Sequence, residues 1–399
     1  MWRSGLIAAV LLAGAADAQP PAPPKLTVER VVLLMRHGVR PPTKAPAMPA
    51  RVTPERWPEW PVAPGYLTPH GADAVTALGV ADRAGLTRSG LLAVGGCPKP
   101  GTIAIIADSD QRTIATADAW LKGVAPGCAA SREQKPQGED DPLFGPLGNG
   151  ATIDADAANA AVKAAIGPGG LAAADRKYAP LLKRLDTILC GKPRAGCGVS
   201  GEPTTLVPAT PTSRPKIDGA LDTASTAAQI LLLEYADGKP LSEIGWGRAS
   251  AADVTALSEF HALEFRLLAR PLPVARANMA LLNRKIDAAL NAADGALVTM
   301  ISAHDTQIAN FGGLIGGHWH VPGFAEDDPA PGGAIVIERV RDAKGAAFVR
   351  VKYRAQPLGR LRAGGAGTFE QPMTIAGCGT PKPVTLCPAE RFAALLGTK

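Results

Sequence analysis

Three short apolar runs stand out along the chain, and each one ends in charged or polar residues. They lie at 28–35, 102–107 and 296–303. A continuous apolar run of this length, bounded by turn residues, is typical of a strand that is buried on both faces. Each run is shorter than the roughly 20 residues that a membrane-spanning helix needs. We therefore predict three buried strands.

Between and after these runs, the apolar positions favour helices. Thr68 and Pro69 suit the cap and the first residue of a helix that ends near Ser89. A second helix, capped by Ser109 or Asp110, is predicted to follow the second strand. The remaining predicted elements are helices near 153–165, 171–189, 219–236, 250–268 and 273–291, loops at 131–152 and 191–217, and a hairpin of strands 333–341 and 347–355.

The order of these elements predicts the domain organisation. Strands alternate with helices at both ends of the chain, whereas the middle is mainly helical, which favours an α/β sandwich interrupted by a helical cap. We place the first part of the core at 25–125, the cap with its connecting loops at 126–290, and the second part of the core at 291–399. In open α/β sheets, sites form at the carboxyl ends of strands. The polar residues after the three strands are therefore expected to converge.

The N-terminus, residues 1–18, has the pattern of a secretory signal peptide. A short positive segment precedes an apolar stretch, and Ala16-Asp17-Ala18 matches the small-residue cleavage pattern. We expect the mature chain to begin near Gln19, to be periplasmic or secreted, and to have no membrane attachment.

The cysteines agree with export. The chain has six of them, Cys97, Cys128, Cys190, Cys197, Cys378 and Cys387. An even number in an exported chain favours disulfides, although spacing alone leaves their pairing open. Two pairs, at 190/197 and 378/387, are close enough to pin local loops. A metal site is less well supported, because no C-x-x-C motif occurs and no histidine lies near these thiols.

Composition narrows the class of partner. The chain is 46% hydrophobic and 20% charged, which is typical of a globular protein rather than a disordered one. Its net charge is +6, but the basic residues are spread along the chain without interleaved aromatic residues. Nucleic acid is therefore not the expected partner. A small polyanionic substrate fits this charge, and so does a soluble protein that is only mildly basic.

The first strand ends in a cluster of cations around one imidazole. Arg36, His37 and Arg40 follow its apolar residues, and Arg112 follows the second strand. Guanidinium groups match phosphate oxygens in pairs and stabilise developing negative charge. A neutral imidazole can attack phosphorus, and nearby arginines lower the pKa of a histidine, which keeps it neutral in mild acid.

The third strand supplies a second imidazole and a carboxyl group, His304 and Asp305. A carboxyl group on the far side of a phosphate can protonate the leaving oxygen. Phosphoryl transfer by such a set needs no metal and no cofactor, and the sequence indicates a clear site for neither. Asp108 is expected either to orient the cations or to cap the next helix. His261, inside a predicted helix, is interpreted as a packing or surface residue.

Two motifs identify a resemblance to a known family. Arg36-His37-Gly38-Val39-Arg40-Pro41-Pro42 and the distant His304-Asp305 resemble the signatures of the histidine acid phosphatases, in their two-step branch. Within it the chain is most similar to bacterial periplasmic phytases and glucose-1-phosphatases, also through stretches at 96–98, 105–113, 141–144, 245–248 and 331–333. The resemblance implies a three-layer α/β/α core, similar to phosphoglycerate mutase, with an inserted helical cap.

The resemblance also implies residue roles. His37 matches the nucleophile and Asp305 the proton donor. The phosphate-binding group is Arg36, Arg40, Arg112 and His304, and the substrate pocket is Thr43, Lys44, Thr226, Gln229 and Thr306. The implied disulfides join Cys97 to Cys128, Cys190 to Cys197 and Cys378 to Cys387.

Three positions depart from the phytase pattern. Gln307 stands where those enzymes have Asn, Gln229 where they have a glutamate, and Thr226 where they have an apolar residue. Since Thr226 and Gln229 are expected to face the pocket, the departures concern leaving-group preference rather than phosphoryl transfer.

We therefore predict an exported, monomeric histidine acid phosphatase that hydrolyses phosphomonoesters through a phosphohistidine. Phytate (myo-inositol hexakisphosphate) is the first choice of substrate, and glucose 1-phosphate or a broad range of phosphomonoesters is the alternative. A non-catalytic phosphate-binding protein is a hypothesis of a different class. The presence of both His37 and Asp305 argues against it.

Overall fold

A computed structural model describes residues 1–2, 26–192, 195–379 and 385–398. The predicted signal peptide, 1–18, lies almost entirely outside the described residues. The strands are β1 Thr27–Arg36, β2 Ile103–Ala107, β3 Ser131–Gln134, β4 Thr205–Val207, β5 Lys216–Asp218, β6 Val298–Ala303, β7 Ala334–Arg341, β8 Ala347–Ala355, β9 Phe369–Met373 and β10 Cys387–Pro388. The helices are α1 Pro69–Arg88, α2 Gln111–Val124, α3 Ala155–Ile166, α4 Gly170–Cys190, α5 Ala220–Ala236, α6 Ala251–Leu268, α7 Leu272–Asn291, α8 Asp305–Ile315, α9 Leu358–Arg362 and α10 Ala389–Leu396.

A mixed sheet forms the centre of the fold. Its order is β10-β8-β7-β1-β6-β2-β3, with β9 paired to β8. Strands β1, β6, β2 and β3 are parallel, whereas β7 runs antiparallel to β1. Arg36 pairs with Ala303, and Ala107 pairs with Ser302. The register therefore brings the carboxyl ends of β1, β6 and β2 to the same edge of the sheet.

Helices cover both faces of this sheet, because alternate residues of β1 point to opposite sides. On one side, Leu33 and Met35 pack in a core with residues of α1 and α2, such as Leu78 and Trp120. On the other side, Leu34 lies in a core that includes residues of α7, α8 and α10. The predicted α/β fold with three layers is confirmed.

A second, helical group lies over the carboxyl edge. Helices α3 to α6 form it together with the separate hairpin β4–β5. Helix α5 packs along α6, and α6 also contacts α8 of the core. The contact between α6 and α8 brings side chains of the helical group next to those that follow β6.

Two predicted loops contain strands. Strand β3 lies within the predicted loop 131–152, and the hairpin β4–β5 overlaps the predicted loop 191–217 except for Asp218. The sequence Ser-Arg-Glu-Gln of β3 is exposed at the sheet edge, so it shows no apolar pattern from which a strand could be predicted. The division of the chain at 125 and 290 stays a prediction, although β3 belongs to the sheet and α7 packs on β1.

Three disulfides pin loops around the core. They join Cys97 to Cys128, Cys190 to Cys197 and Cys378 to Cys387, which are the pairs that the resemblance implies. Within the described ranges, no helix combines the length and the apolar character needed to cross a membrane.

Candidate active site

His37 directly follows β1, and its neighbours fix which ring nitrogen is free. The backbone N–H of His37 donates to Ala303 O, and its Nδ1 lies 2.9 Å from Gly38 O. Because a carbonyl oxygen only accepts hydrogen bonds, Nδ1 carries the proton and Nε2 keeps its lone pair. A Cβ at position 38 would lie 2.8 Å from Leu67 Cδ1 and 3.1 Å from Gly71 O, so the turn after His37 leaves little room for a side chain.

The surroundings of His37 keep its imidazole neutral. Burial lowers the pKa of His37 well below its usual range, and the charges of Arg40, Arg112 and Arg36 lower it further. The imidazole is therefore unprotonated in mild acid, and its Nε2 is available as a nucleophile.

The three arginines share a feature that suits an anion site. The Nε–H groups of Arg36, Arg40 and Arg112 are buried and have no hydrogen-bond partner among the described residues. Burial lowers the pKa of Arg40 to about 10, so this guanidinium remains charged in acid. Buried polar groups normally find partners. The three guanidinium groups lower the pKa of His37 and each keep one unpaired donor, so together they can bind an anion such as phosphate.

His304 and Arg112 support each other. Arg112 Nη2 lies 3.3 Å from His304 Nδ1, and His304 Nε2 lies 2.6 Å from Asp108 Oδ2. Since a guanidinium only donates, Nδ1 accepts and Nε2–H donates to Asp108. Both ring nitrogens are thus engaged, and His304 holds Arg112 in place. Asp108 orients this group, whereas the helix cap is Asp110.

One group of side chains has the spacing of a cation site. Among the described residues, Asp108, Asp110 and His304 lie close enough to share a metal ion. However, Arg112 Nη2 lies 2.6 Å from Asp110 Oδ2 and 3.3 Å from His304 Nδ1. The guanidinium already supplies positive charge to this cluster, so a metal ion would have to displace it.

Asp305 is the first residue of α8, and it contacts Arg36 at the end of β1. Its Oδ2 lies 2.9 Å from Arg36 Nη2, and its Oδ1 accepts a hydrogen bond of 2.9 Å from the backbone N–H of Thr306. Burial by itself would raise the pKa of Asp305, but Arg36, His261, His37 and Arg40 outweigh burial and hold that pKa well below its usual range. Before a substrate binds, the carboxyl group is ionised.

The sequence interpretation of His261 as a packing or surface residue does not include the polar contacts that the structure shows. His261 lies on α6, is buried, and places Nε2 at 3.7 Å from Asp305 Oδ2. Its Nδ1 lies 2.6 Å from Asp328 Oδ1. Helical periodicity marks His261 only as a residue of a buried face, and it does not tell which part of the core that face meets. The sequence carries no signal for this contact.

A pocket of about 700 Å³ opens beside Asp305 and Arg40. All five residues predicted for the substrate pocket line it, namely Thr43, Lys44, Thr226, Gln229 and Thr306. Its wall also contains charged residues that were not predicted from the sequence, namely Arg51, Arg214, Asp218, Asp222 and Glu264. Burial raises the pKa of Asp222 to about 6, with smaller contributions from Glu264 and Asp218.

Gln229 and Gln307 have different environments. Gln229 lines the pocket and accepts a hydrogen bond of 2.8 Å from Arg36 Nη2 through Oε1. Its Nε2 is buried without a partner among the described residues. Gln307 accepts from the backbone N–H of His304 at 3.2 Å and donates to Phe144 O at 2.7 Å. It therefore fixes the start of α8.

Known proteins are similar to this chain in both sequence and fold. The histidine phosphatase superfamily (branch 2) matches residues 27–163. Phytase AppA of Escherichia coli (strain K12) is 34% identical to this chain, and the match covers 94% of the chain and 92% of that protein. Glucose-1-phosphatase of Salmonella typhimurium (strain LT2) is 29% identical, with 98% and 96% covered.

A solved structure shows the same architecture. Hafnia alvei phytase in complex with myo-inositol hexakis sulphate has a TM-score of 0.85 and 32% identity, and the match covers 94% of this chain and 98% of that one. These similarities extend over nearly the whole chain and include the segments that carry His37 and Asp305. The chain therefore belongs to the histidine phosphatase superfamily (branch 2), as a phytase-like hydrolase of phosphate esters.

Proposed function

We propose that this enzyme hydrolyses phytate through a phosphohistidine on His37. The observation that carries the proposal is the set of three buried, unpaired guanidinium Nε–H groups around a neutral imidazole. An anion that enters this set gains charge-assisted hydrogen bonds, and it comes within reach of the lone pair on Nε2.

In the first step, Nε2 of His37 attacks phosphorus and the bond between phosphorus and the ester oxygen breaks. The electron pair stays on the leaving oxygen, which takes a proton from Asp305. Arg36, Arg40 and Arg112 stabilise the charge on the phosphoryl oxygens, and His304 holds Arg112 in position. The proton on Nδ1 remains with the hydrogen bond to Gly38 O.

In the second step, water attacks the phosphohistidine. Asp305 now accepts the proton of that water, because the same carboxyl group that donated a proton is ionised after the first step. The bond between Nε2 and phosphorus breaks, the electron pair returns to Nε2, and phosphate leaves.

The pocket supports a substrate with several phosphate groups. Lys44, Arg51 and Arg214 line it outside the three central arginines. Nε2 of Gln229, which has no partner among the described residues, adds a hydrogen-bond donor to this wall. The complex of Hafnia alvei phytase with myo-inositol hexakis sulphate supports a polyanionic ring as the substrate of this chain too.

A sugar phosphate is the second candidate, and a specific observation favours it. Asp218, Asp222 and Glu264 line the same pocket. Carboxylates accept hydrogen bonds from sugar hydroxyl groups and repel additional phosphates. The similarity to a glucose-1-phosphatase agrees with this alternative.

We also propose that the enzyme works as an exported monomer, in the periplasm or outside the cell. The signal-peptide pattern of the sequence and the three disulfides support export, because disulfides persist in oxidising compartments.

A substrate panel tests the function. The purified enzyme is assayed in mild acid with phytate, glucose 1-phosphate and p-nitrophenyl phosphate. We expect turnover of all three and the highest kcat/KM for phytate. A higher kcat/KM for glucose 1-phosphate would replace phytate by the second candidate, and failure to hydrolyse p-nitrophenyl phosphate would contradict the phosphatase mechanism itself.

A further inference from the structure

His261 of helix α6 lies between two carboxyl groups of the core. Asp328 Oδ1 lies 2.6 Å from His261 Nδ1, and His261 Nε2 lies 3.7 Å from Asp305 Oδ2. Asp328 is 1% exposed and His261 6% exposed. The ring of His261 also packs edge-on against Phe265, with their centroids 4.5 Å apart. The imidazole is therefore held in one orientation.

This geometry restricts where protons can lie. A carboxylate only accepts hydrogen bonds, so the short contact with Asp328 places a proton on Nδ1 of His261. The lone pair of Nε2 would then face a carboxylate oxygen of Asp305, and two acceptors at this distance repel each other. One proton, on Nε2 or on Oδ2, removes the repulsion. His261 and Asp305 are thus arranged to hold one proton between them.

The proposed mechanism needs such a proton. Asp305 has to protonate the leaving oxygen, yet its ion pair with Arg36 favours the ionised carboxylate. A carboxylate in this position requires a neighbour that supplies the proton when the phosphoryl group moves.

We propose that His261 is a positioning residue that carries the proton which Asp305 delivers to the leaving group, and that Asp328 stabilises the imidazolium. The proposal rests on the proposed function. When the ester bond breaks, Nε2–H of His261 passes its proton to Oδ2 of Asp305, and the carboxyl group delivers this one proton to the leaving oxygen, so Asp305 is ionised again. The imidazole becomes neutral. After water attacks the phosphohistidine, the proton that Asp305 accepts returns to Nε2, so the cycle closes without an external acid.

The charged groups near His261 come from several elements of the fold. Asp305 faces it from α8, and Asp328 faces it from the segment before β7. Asp222 from α5 and Glu264 from α6 line the same pocket. The opposing cations are Arg36 and Arg40, next to Asp305. The two ring nitrogens of His261 thus each face one carboxyl group.

Leaving-group dependence tests the proposal. Glycerol phosphate has a poor leaving group and p-nitrophenyl phosphate a good one, and each carries a single phosphate group. For His261→Gln we expect kcat to fall about tenfold with glycerol phosphate and to stay within about twofold with p-nitrophenyl phosphate, because only the alkoxide needs a proton. In a plot of kcat against pH for glycerol phosphate, the fall in kcat on the alkaline side should disappear or move to another pH. Asp328→Asn should change kcat for glycerol phosphate and its alkaline limb in the same direction. It serves as a second variant if His261→Gln folds poorly.

The control and the combination with Asp305 complete the test. His320→Gln removes an exposed imidazole that does not line the pocket and should change nothing. In an Asp305→Asn background, His261→Gln should cause no further loss, because the two residues handle one proton. The proposal would be overturned if His261→Gln lowered kcat equally with both substrates. It would also be overturned if the losses of kcat in His261→Gln and Asp305→Asn were fully additive. If the unaltered enzyme hydrolyses neither substrate, the proposed function fails instead.

Discussion

Arg36 and Asp305 form an ion pair of 2.9 Å, and the guanidinium of Arg36 is completely buried. The same arginine also donates to Pro329 O and to Gln229 Oε1. Arg36 therefore links the phosphate site, the acid and the cap helix α5. A phosphate that binds beside Arg36 brings negative charge next to Asp305, which raises the affinity of that carboxylate for a proton at the moment when one is needed.

The first prediction concerns Asp305. Asp305→Asn removes the group that protonates the leaving oxygen and keeps its shape. We expect kcat to fall roughly 100-fold or more with phytate and glycerol phosphate, and much less with p-nitrophenyl phosphate. Steady-state kinetics with leaving groups of graded pKa measures the effect. Equal losses across the series would argue against a proton donor at this position.

The second prediction concerns Gln229, whose Oε1 accepts from Arg36. Gln229→Glu adds a carboxylate beside the ion pair, and the added negative charge raises the pKa of Asp305. The alkaline limb of kcat with glycerol phosphate should therefore move to higher pH by about one unit. Thr226→Glu, on the same helix and facing the same pocket, is the matched control and should move the limb less. If the alkaline limb did not move in Gln229→Glu, Arg36 would not couple the new carboxyl group at position 229 to that of Asp305.

The third prediction concerns stability. Burial raises the pKa of Glu234 to about 8, and both of its carboxyl oxygens lack a partner among the described residues. The folded state therefore keeps a proton that the unfolded state loses at lower pH, so this group favours folding in acid and ceases to do so as the pH rises. Glu234→Gln should raise the free energy of unfolding by about 2 to 3 kcal/mol near pH 7 and by almost nothing near pH 4.

Urea unfolding of Glu234→Gln at several pH values measures this difference. The exposed Glu326→Gln is the control and should follow the unaltered protein. A gain in stability that is the same at every pH would show that packing, rather than the titration of Glu234, causes it.

The sequence predicts much of the fold because its core elements have strong patterns. Strands such as β1 and β6 are buried on both faces and read as continuous apolar runs, and α1 has a clear cap at Thr68. Strands β3 and β9 are exposed and polar in part, and what makes them strands is their pairing with β2 and β8. Pairing of this kind depends on tertiary structure and leaves no local signal.

The residues of the active site also differ in whether the sequence alone predicts them. His37, Arg112 and His304 can be predicted from sequence, because each follows a buried strand of one parallel set. His261 and Asp328 cannot, since their positions depend on how α6 packs on α8 and on the antiparallel start of β7 beside the end of β1. Likewise Gln307 looks like a specificity residue in sequence, yet its hydrogen bonds to His304 and Phe144 make it a support of α8.

The central claim is that His37 forms a covalent bond to phosphorus. The enzyme is mixed with p-nitrophenyl phosphate, quenched within milliseconds in alkaline denaturant, which preserves phosphohistidine, and analysed by peptide mass. We expect one added phosphoryl group on His37. In His37→Ala we expect no phosphoenzyme and a loss of turnover of at least about 10⁴-fold. A phosphoryl group on another residue, or substantial turnover by His37→Ala, would contradict the mechanism.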